Sequence, residues 1–514
     1  MSDAAGGDAK GYITDIAYTI KYYARQSPGQ VVTSAQAAGL VGPAIEEAFT
    51  YADFGCGRGM TLLVLASVYP QARFVGVDVN EEHIVEARER AAAAGLTNLT
   101  FLAKSFDRVS EADMPPLDLA TAHGVYSWVS PEVRLQLRDC VARHLKPDGL
   151  ALVSYNVLAG YAGLQPIQAL LMQLAQSAPG SQTEKRRAAL SILKRMHATE
   201  QDFFKRYPKA AGYVRDWDKH DEIYLFHEYF NDNWIPLSFA QVSSEMADVG
   251  LHFCGDAVYP NWISSSGKGS RATWMTDPRL LEDTASTAMA QAFRYDTYAA
   301  CGEMSFGRAP AIADDTCFCL TLPAETNEIA KAAAKTWLPG KIVKQLLAGP
   351  RSFGELRAEP DFTKLNARAL AVSLRGCMAQ GLVTRYRQPA SLGAPPASGE
   401  ALQVTTALGR ELLRDPKLAR HTLPLPALHF GSAVMVPPLI AAVLAAALEP
   451  GEADLAERVA QRAYRMTGVD AQGKKRETLE SVRERVAGSI DRYQRLWLPF
   501  LHRAGVVEAV ADAS

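Results

Sequence analysis

No CxxC pair occurs in this chain, whose seven cysteines stand at 56, 140, 254, 301, 317, 319 and 377. Sparse, scattered and odd in number, they do not suggest a disulfide framework, and a reducing compartment suits them better. An excess of either charge is also missing. Lys and Arg total 54 against 56 Asp and Glu, for a net charge of −2, which argues against a uniformly basic nucleic-acid binder. Met1–Lys10 offer no apolar core behind a basic start, so no secretory signal is expected. The longest apolar run, Val434–Leu448, is interrupted by Pro437–Pro438 and falls short of the roughly 20 residues of a membrane span. It reads instead as a buried helix beginning at the prolines. The expectation is a soluble, cytoplasmic protein with no membrane span. With 514 residues, 48% of them hydrophobic, the chain can bury ordinary cores, in about three domains.

Residues 51–156 alternate between two periods. Tyr51–Gly55, Ala72–Val79, Leu99–Ala103, Leu117–Ala122 and Ala151–Tyr155 read as strands. Met60–Tyr69, Glu81–Ala94 and Pro131–Leu145 read as helices between them, and a Pro147-Asp148-Gly149 turn precedes the fifth strand. Strand alternating with helix predicts an α/β fold, a doubly wound Rossmann-like parallel sheet covered on both faces. Mostly helical domains are added to it. Leu164–Ser177 and Glu184–Phe204 are long helical stretches, and 313–322 holds one strand. Lys341–Leu347, Phe353–Leu356 and Asn366–Gln380 predict three helices before a strand at Leu382–Arg387, a winged-helix-like order. Gln388–Glu400 has linker composition. The expected division is 1–162, a ligand-binding core; 163–325, a helical region able to complete the core sheet; 326–390, winged-helix-like; and 401–514, helical.

The most informative segment is Asp53-Phe54-Gly55-Cys56-Gly57-Arg58-Gly59, directly between a strand and a helix. Glycines there permit positive φ and close approach of a ligand to backbone, next to the free N–H groups of a helix start. Ligands of doubly wound sheets bind at this carboxyl edge. Asp78 ends the second strand, where a carboxylate can accept hydrogen bonds from a ribose diol. The glycine spacing differs from G-x-G-x-x-G, and the acidic Asp53 disfavours a pyrophosphate and favours a cationic, phosphate-free ligand.

This combination resembles the S-adenosylmethionine site of class I methyltransferases. The resemblance implies that Asp53 lies near the ligand's ammonium or sulfonium. It places Gly55, Cys56 and Gly57 along the methionine moiety, and Asp78 with Val79 at the ribose. Ser105-Phe106-Asp107 would meet the adenine. A narrower likeness rests on His123-Gly124-Val125-Tyr126-Ser127-Trp128-Val129, on Ser154-Tyr155-Asn156 and on His227-Glu228-Tyr229-Phe230. These resemble bacterial methyltransferases that carry a methyltransferase regulatory domain, a group that includes lysine methyltransferases of outer-membrane proteins. Val157, Ala159 and Tyr161 depart from the group's Thr, Pro and Trp. The likeness covers about 11–260. It implies an S-adenosylmethionine-dependent enzyme whose methyl acceptor is a protein lysine, with 1–162 as the methyltransferase core and 163–325 as the regulatory region.

Methyl transfer from a sulfonium is an in-line displacement, in which an enzyme aligns the nucleophile and excludes water. A lysine must arrive neutral, and aromatic walls lower its pKa by desolvation. Tyr126 and Trp128 are the expected walls of the acceptor channel. His123 is a candidate general base, or else a hydrogen-bonded strand-end residue that touches cofactor. Asn156 holds either a backbone turn or the acceptor. Tyr18, in an aromatic N-terminal stretch resembling a lid, is a candidate contact to cofactor or acceptor. No metal is expected. His220, His227 and Glu228 read as regulatory-domain structure, and Cys317 with Cys319 as buried strand residues. Two other readings remain: methylation of a small-molecule or glycan hydroxyl, and a cofactor-sensing regulator that binds nucleic acid through 326–387. The scattered basic residues of that unit make nucleic acid a poor partner, and a homo-oligomer stays open.

Overall fold

The computed structural model describes residues 20–256, 278–300, 310–326, 338–387, 392–397, 400–449, 454–467 and 478–510. Tyr18 and Cys301 lie outside them. Strands β1 (Thr50–Phe54), β2 (Arg73–Asp78), β3 (Leu99–Ala103), β4 (Leu117–Ala122) and β5 (Leu145–Asn156) pair in parallel. Two later strands, β6 (His252–Asp256) and β7 (Phe293–Ala299), finish the sheet, and β7 runs antiparallel to both β5 and β6. The order is β3-β2-β1-β4-β5-β7-β6. Central strands are buried almost throughout, as in β1, where Tyr51–Phe54 are all buried. That is why they read as nearly continuous apolar runs rather than alternating ones.

Helices α1 (Pro28–Ala37), α2 (Met60–Val68), α3 (Glu81–Ala93) and α4 (Pro131–His144) cover the sheet. Their starts are written locally. The Asn80 side chain accepts from the His83 backbone N–H at α3, and Ser130 accepts from Val133 at α4 with Pro131 in the first turn. All of α2 except Ser67 is buried, because it is wedged between the sheet and a hairpin from the C-terminal region. A helix apolar on every side needs such cover. Truncating Leu63 within it to Ala would cost about 2–5 kcal/mol.

Between β5 and β6 the chain makes a helical excursion: α5 (Leu158–Tyr161), α6 (Gln165–Ser177), α7 (Gln182–Ala198), α8 (Asp202–Arg206), α9 (Pro208–Asp216), α10 (Glu222–Tyr229) and α11 (Phe239–Ala247). They enclose an aromatic core around Trp217, Phe226 and Tyr229. The helical stretch expected over Glu184–Phe204 is broken after Ala198, where Glu200 takes φ +50°. A left-handed residue just past a helix end lets the chain turn away.

Residues 338–386 hold three helices, Leu338–Leu346, Phe353–Ala358 and Ala367–Ala379, with β9 (Arg351–Ser352) and β10 (Val383–Tyr386). Their three-stranded sheet takes its middle strand, β8 (Cys317–Leu320), from before the boundary expected at 326. This unit is tied to the sheet's helices: Arg385 Nε donates to Thr33 Oγ1 of α1 at 2.8 Å. The C-terminal region is less helical than expected. It contains β11 (Leu402–Val404) paired with β14 (Val507–Ala509), and β12 (Leu423–Ala427) paired with β13 (Ser432–Val436). Pro424 and Pro426 disguised β12. Proline is tolerated in a two-stranded hairpin because one side of the strand has no ladder to serve. The apolar run splits accordingly, with Val434–Val436 in β13 and the helix Pro438–Ala447 starting at the prolines.

Candidate active site

At the carboxyl edge of β1 the glycines each take a left-handed conformation, with φ +80° at Gly55, +53° at Gly57 and +72° at Gly59. Their roles differ. A Cβ on Gly55 would lie 2.2 Å from Val125 and one on Gly59 2.6 Å from Phe101, so these two glycines are required by packing. A Cβ on Gly57 would meet nothing within 4 Å, because Gly57 faces a cavity. The Gly57 N–H donates to Asp78 Oδ2 at 2.8 Å, and the Asn80 N–H to Asp78 Oδ1 at 2.9 Å. These bonds fix the carboxylate at the end of β2 with lone pairs left for a diol.

The cavity holds about 570 Å³. One half is lined by Gly55, Cys56, Gly57, Asp78 and Val79, and by Ser105, Phe106 and Asp107 after β3. The Ser105 hydroxyl is buried without a hydrogen-bond partner, an unusual state that a ligand's polar edge would relieve. The other half is lined by Trp128, Asn156, Tyr161, Tyr224, His227 and Glu228. Trp128 is backed by Trp234 at 6.2 Å, and Tyr161 meets the same Trp234 edge-on at 5.4 Å. Both amide atoms of Asn156 are buried without partners, while its backbone N–H donates to Ser127 Oγ at 2.9 Å. The backbone therefore places an uncommitted amide in the cavity wall.

His123 also lines the cavity. Its Nδ1 pairs with Ser154 Oγ at 2.7 Å, and its ring lies edge-on to Tyr23 at 4.0 Å and stacked on Tyr295 at 5.2 Å. Burial, with the charges of Arg25 and Lys21, pushes its pKa down to about 3. An imidazole so weakly basic is a poor proton acceptor, which favours the second of the two readings of His123, a hydrogen-bonded residue at a strand end beside the cavity. Two expectations fail on placement. Asp53 is buried behind the glycine loop and is not a lining residue. Its Oδ1 accepts from Gln26 Nε2 at 2.7 Å and from Thr121 Oγ1 at 2.8 Å, and burial raises its pKa to about 7. Tyr126 points away from the cavity, where its hydroxyl donates to Glu245 Oε2 at 2.7 Å. Arg134 donates to both oxygens of that carboxylate, Nε to Oε2 at 3.1 Å and Nη2 to Oε1 at 3.0 Å.

Lys21, Arg25, Tyr295 and above all Glu228 were not expected in the site. Adjacent residues on a helix differ by about 100°, yet the cavity is wide enough to be lined by both His227 and Glu228. The i, i+4 spacing of Tyr224 and Glu228 was the available signal, since it sets both on one face. Among the described residues no cluster of His, Cys, Asp and Glu has the form of a metal site, and no helix is long and apolar enough to cross a membrane.

A methyltransferase-domain family matches residues 52–149, and a family described as a predicted methyltransferase regulatory domain matches 221–299. The chain carries a class I S-adenosylmethionine-dependent methyltransferase domain and a methyltransferase regulatory domain. S-adenosylmethionine is the cofactor of such a domain. The open Gly57, the tethered Asp78 carboxylate and the unpartnered Ser105 suit a phosphate-free nucleoside with a polar tail. The regulatory-domain match spans α10 through β7, so it finishes the catalytic sheet and supplies Glu228 and Tyr295 to the cavity. The fold is shared with PKMT2 from Rickettsia typhi in complex with AdoHcy, at a TM-score of 0.64 and 16% identity, over 95% of this chain and 99% of that one. The uncharacterized protein sll1526 of Synechocystis is 31% identical over 293 residues. That match takes in 56% of this chain and 58% of the relative, so the chain spans little more than half of the relative's length. The uncharacterized protein RP789 of Rickettsia prowazekii is 26% identical over 245 residues, 47% of this chain and 43% of that protein.

Proposed function

We propose that the protein transfers a methyl group from S-adenosylmethionine to the ε-amine of a lysine in another protein. The observation that carries this reading is the half of the cavity away from the glycine loop. There Trp128, Tyr161 and Tyr224 surround space also lined by the Glu228 carboxylate and the free amide of Asn156. Aromatic faces attract an ammonium and, as water leaves, favour its neutral form. A carboxylate and an amide oxygen are hydrogen-bond acceptors suited to an amine's N–H groups. Likeness of fold over nearly the whole chain to PKMT2, and the sequence's likeness to the lysine methyltransferases of outer-membrane proteins, support the same acceptor.

When bound, the cofactor would supply an electrophilic methyl for in-line displacement by the amine lone pair, with its thioether as leaving group. This chain's residues do the rest. Asp78, fixed by the Gly57 N–H, holds the nucleoside end, Ser105 and Phe106 its base, and Arg25 brings positive charge to the wall for a carboxylate. Trp128 and Tyr161 exclude water from the nucleophile. Much of the gain in such a reaction comes from alignment.

The test incubates the purified protein and tritium-labelled S-adenosylmethionine with extract of the source organism lacking the gene. Gly57→Arg serves as the blocked-site control, because an arginine there would fill the cavity at a position of positive φ. Label in a discrete protein band, absent from the control and mapped to lysine by mass spectrometry, is the expected result. Label confined to small molecules or glycan would instead favour hydroxyl methylation.

A further inference from the structure

Among the described cavity residues, three are acidic: Asp78, Asp107 and Glu228. Asp78 and Asp107 lie in the cofactor half, and Asp78 is already engaged by two backbone N–H groups. Glu228 stands alone in the acceptor half, on α10, one turn from Tyr224. We propose that Glu228 receives the acceptor's ammonium and takes its proton, with Asn156 holding the neutral amine that results. This deepens the lysine reading and rests on it.

An internal stand-in shows what this corner of the cavity accepts. The ammonium of Lys21, from the segment before α1, lies over the Tyr224 ring at 4.5 Å, and its charge acts on Glu228. A lysine amine on an aromatic face beside a carboxylate is the arrangement an incoming lysine would need. The groups around Glu228 tune it. Burial raises its pKa to about 7, opposed by Lys21 and by the Tyr224 hydroxyl, which donates to it. Tyr161 of α5, Tyr213 of α9 and Tyr229 of α10 feel its negative charge and are themselves pushed up, chiefly by burial, so they stay neutral. His227 of α10 lines the same wall. Burial lowers the pKa of Lys21 and would act in the same direction on a visiting lysine. The two pKa values are thereby drawn toward each other, which makes transfer between them efficient. His123 is too weak a base for the task.

The step balances. The ammonium gives one proton to the Glu228 carboxylate, leaving a neutral amine and a carboxylic acid. The amine lone pair then forms the bond to the methyl carbon, and the pair of the broken carbon–sulfur bond stays on sulfur. The charges before, ammonium, carboxylate and sulfonium, sum to one positive charge. Those after, methylammonium, carboxylic acid and thioether, sum to the same. The acid proton leaves to water past Lys21, whose side chain is part-covered at the cavity's edge.

The experiment compares the full-length wild type with Glu228→Gln and Glu228→Asp. AdoHcy affinity is measured first, then binding of n-butylammonium to the AdoHcy-loaded protein, then transfer to the labelled protein band against pH. The expected result is unchanged AdoHcy affinity in Glu228→Gln, with n-butylammonium binding at least about tenfold weaker and transfer reduced about 10²-fold or more, as for loss of a general base. Glu228→Asp should recover part of the rate, and the acid limb of the wild-type pH profile should vanish in Glu228→Gln. If Glu228→Gln binds n-butylammonium and methylates lysine like the wild type, this proposal is overturned and the lysine reading stands. If Glu228→Gln loses AdoHcy binding, the residue is structural and the proposal is likewise overturned. Label on hydroxyls and none on lysine overturns both.

Discussion

The backbone N–H of Gly57 and the Asp78 carboxylate meet at 2.8 Å, which joins the tip of the glycine loop to the end of the neighbouring strand. The contact arises because β1 and β2 are parallel neighbours, with Asp53 opposite Gly76, so their carboxyl ends lie side by side. One carboxylate therefore shapes the loop and faces the cavity that the loop lines.

Asp78→Ala removes both functions. Hydrogen bonds to a charged group contribute about 1.5–3 kcal/mol each, so AdoHcy affinity should fall by about one to two orders of magnitude. The sheet should survive, because Asp78 ends its strand. Calorimetric titration with AdoHcy, beside a thermal melt, checks this. Normal affinity in the variant would refute the assignment of Asp78 to the cofactor.

The placement of the glycine loop, Asp78 and Ser105–Asp107 at one cavity was legible in the sequence because each lies within a few residues of a strand's carboxyl end, where short-range rules apply. Glu228 was not, because it enters from a helix far along the chain and only the completed sheet brings it to the cavity. The buried setting of Asp53 is hidden in the sequence for a related reason. Nothing near it in sequence shows that Gln26 and Thr121 satisfy it from behind. Tyr126 and Trp128 share one short segment, yet a turn after β4 sends Trp128 to the cavity and Tyr126 to Glu245. Strand β12 was hidden by its prolines, whose usual meaning as strand breakers fails at an edge.

Tyr126→Phe should leave the cavity unaltered and cost stability. The Tyr126 hydroxyl and Arg134 both donate to Glu245, so the substitution deletes one bond to a partly buried carboxylate. A loss of about 1–3 kcal/mol is expected, read as a lower urea midpoint. AdoHcy affinity should match the wild type. A change in affinity with no change in stability would return Tyr126 to the site.

Asp53→Asn should change how stability depends on pH. Burial raises the folded pKa of Asp53 from 3.8 to about 7. Between those values the folded state binds more protons than the unfolded one, so this group makes stability fall as pH rises through that window. An asparagine oxygen can still accept from Gln26 and Thr121, without the buried charge. In cofactor-free protein the variant should therefore gain on the wild type as pH rises from 5 to 8, by a few kcal/mol at one pKa unit per about 1.4 kcal/mol. Parallel melting curves at the two pH values would fail to diverge if Asp53 were ordinarily ionised in the fold.

His123 acts with the opposite sign. Its folded pKa is lowered from 6.5 to about 3 by burial and by the charges of Arg25 and Lys21. Between those values the unfolded chain binds the extra proton, so this group makes stability rise with pH across that window. The Asp53 and His123 slopes oppose each other between about pH 4 and 6.5, while the raised carboxyls of Glu228 and Asp296 act there with the sign of Asp53. The wild type should therefore lose stability as pH rises through that window, and the two variants should depart from it in opposite directions. His123→Asn, which keeps a polar atom for Ser154, should fall more steeply than the wild type. Asp53→Asn should fall less steeply over the same interval. Denaturant melts of both variants and the wild type at three pH values test the pair together. A shallower fall in His123→Asn, or a steeper one in Asp53→Asn, would mean that the substituted group is not in the protonation state its surroundings dictate.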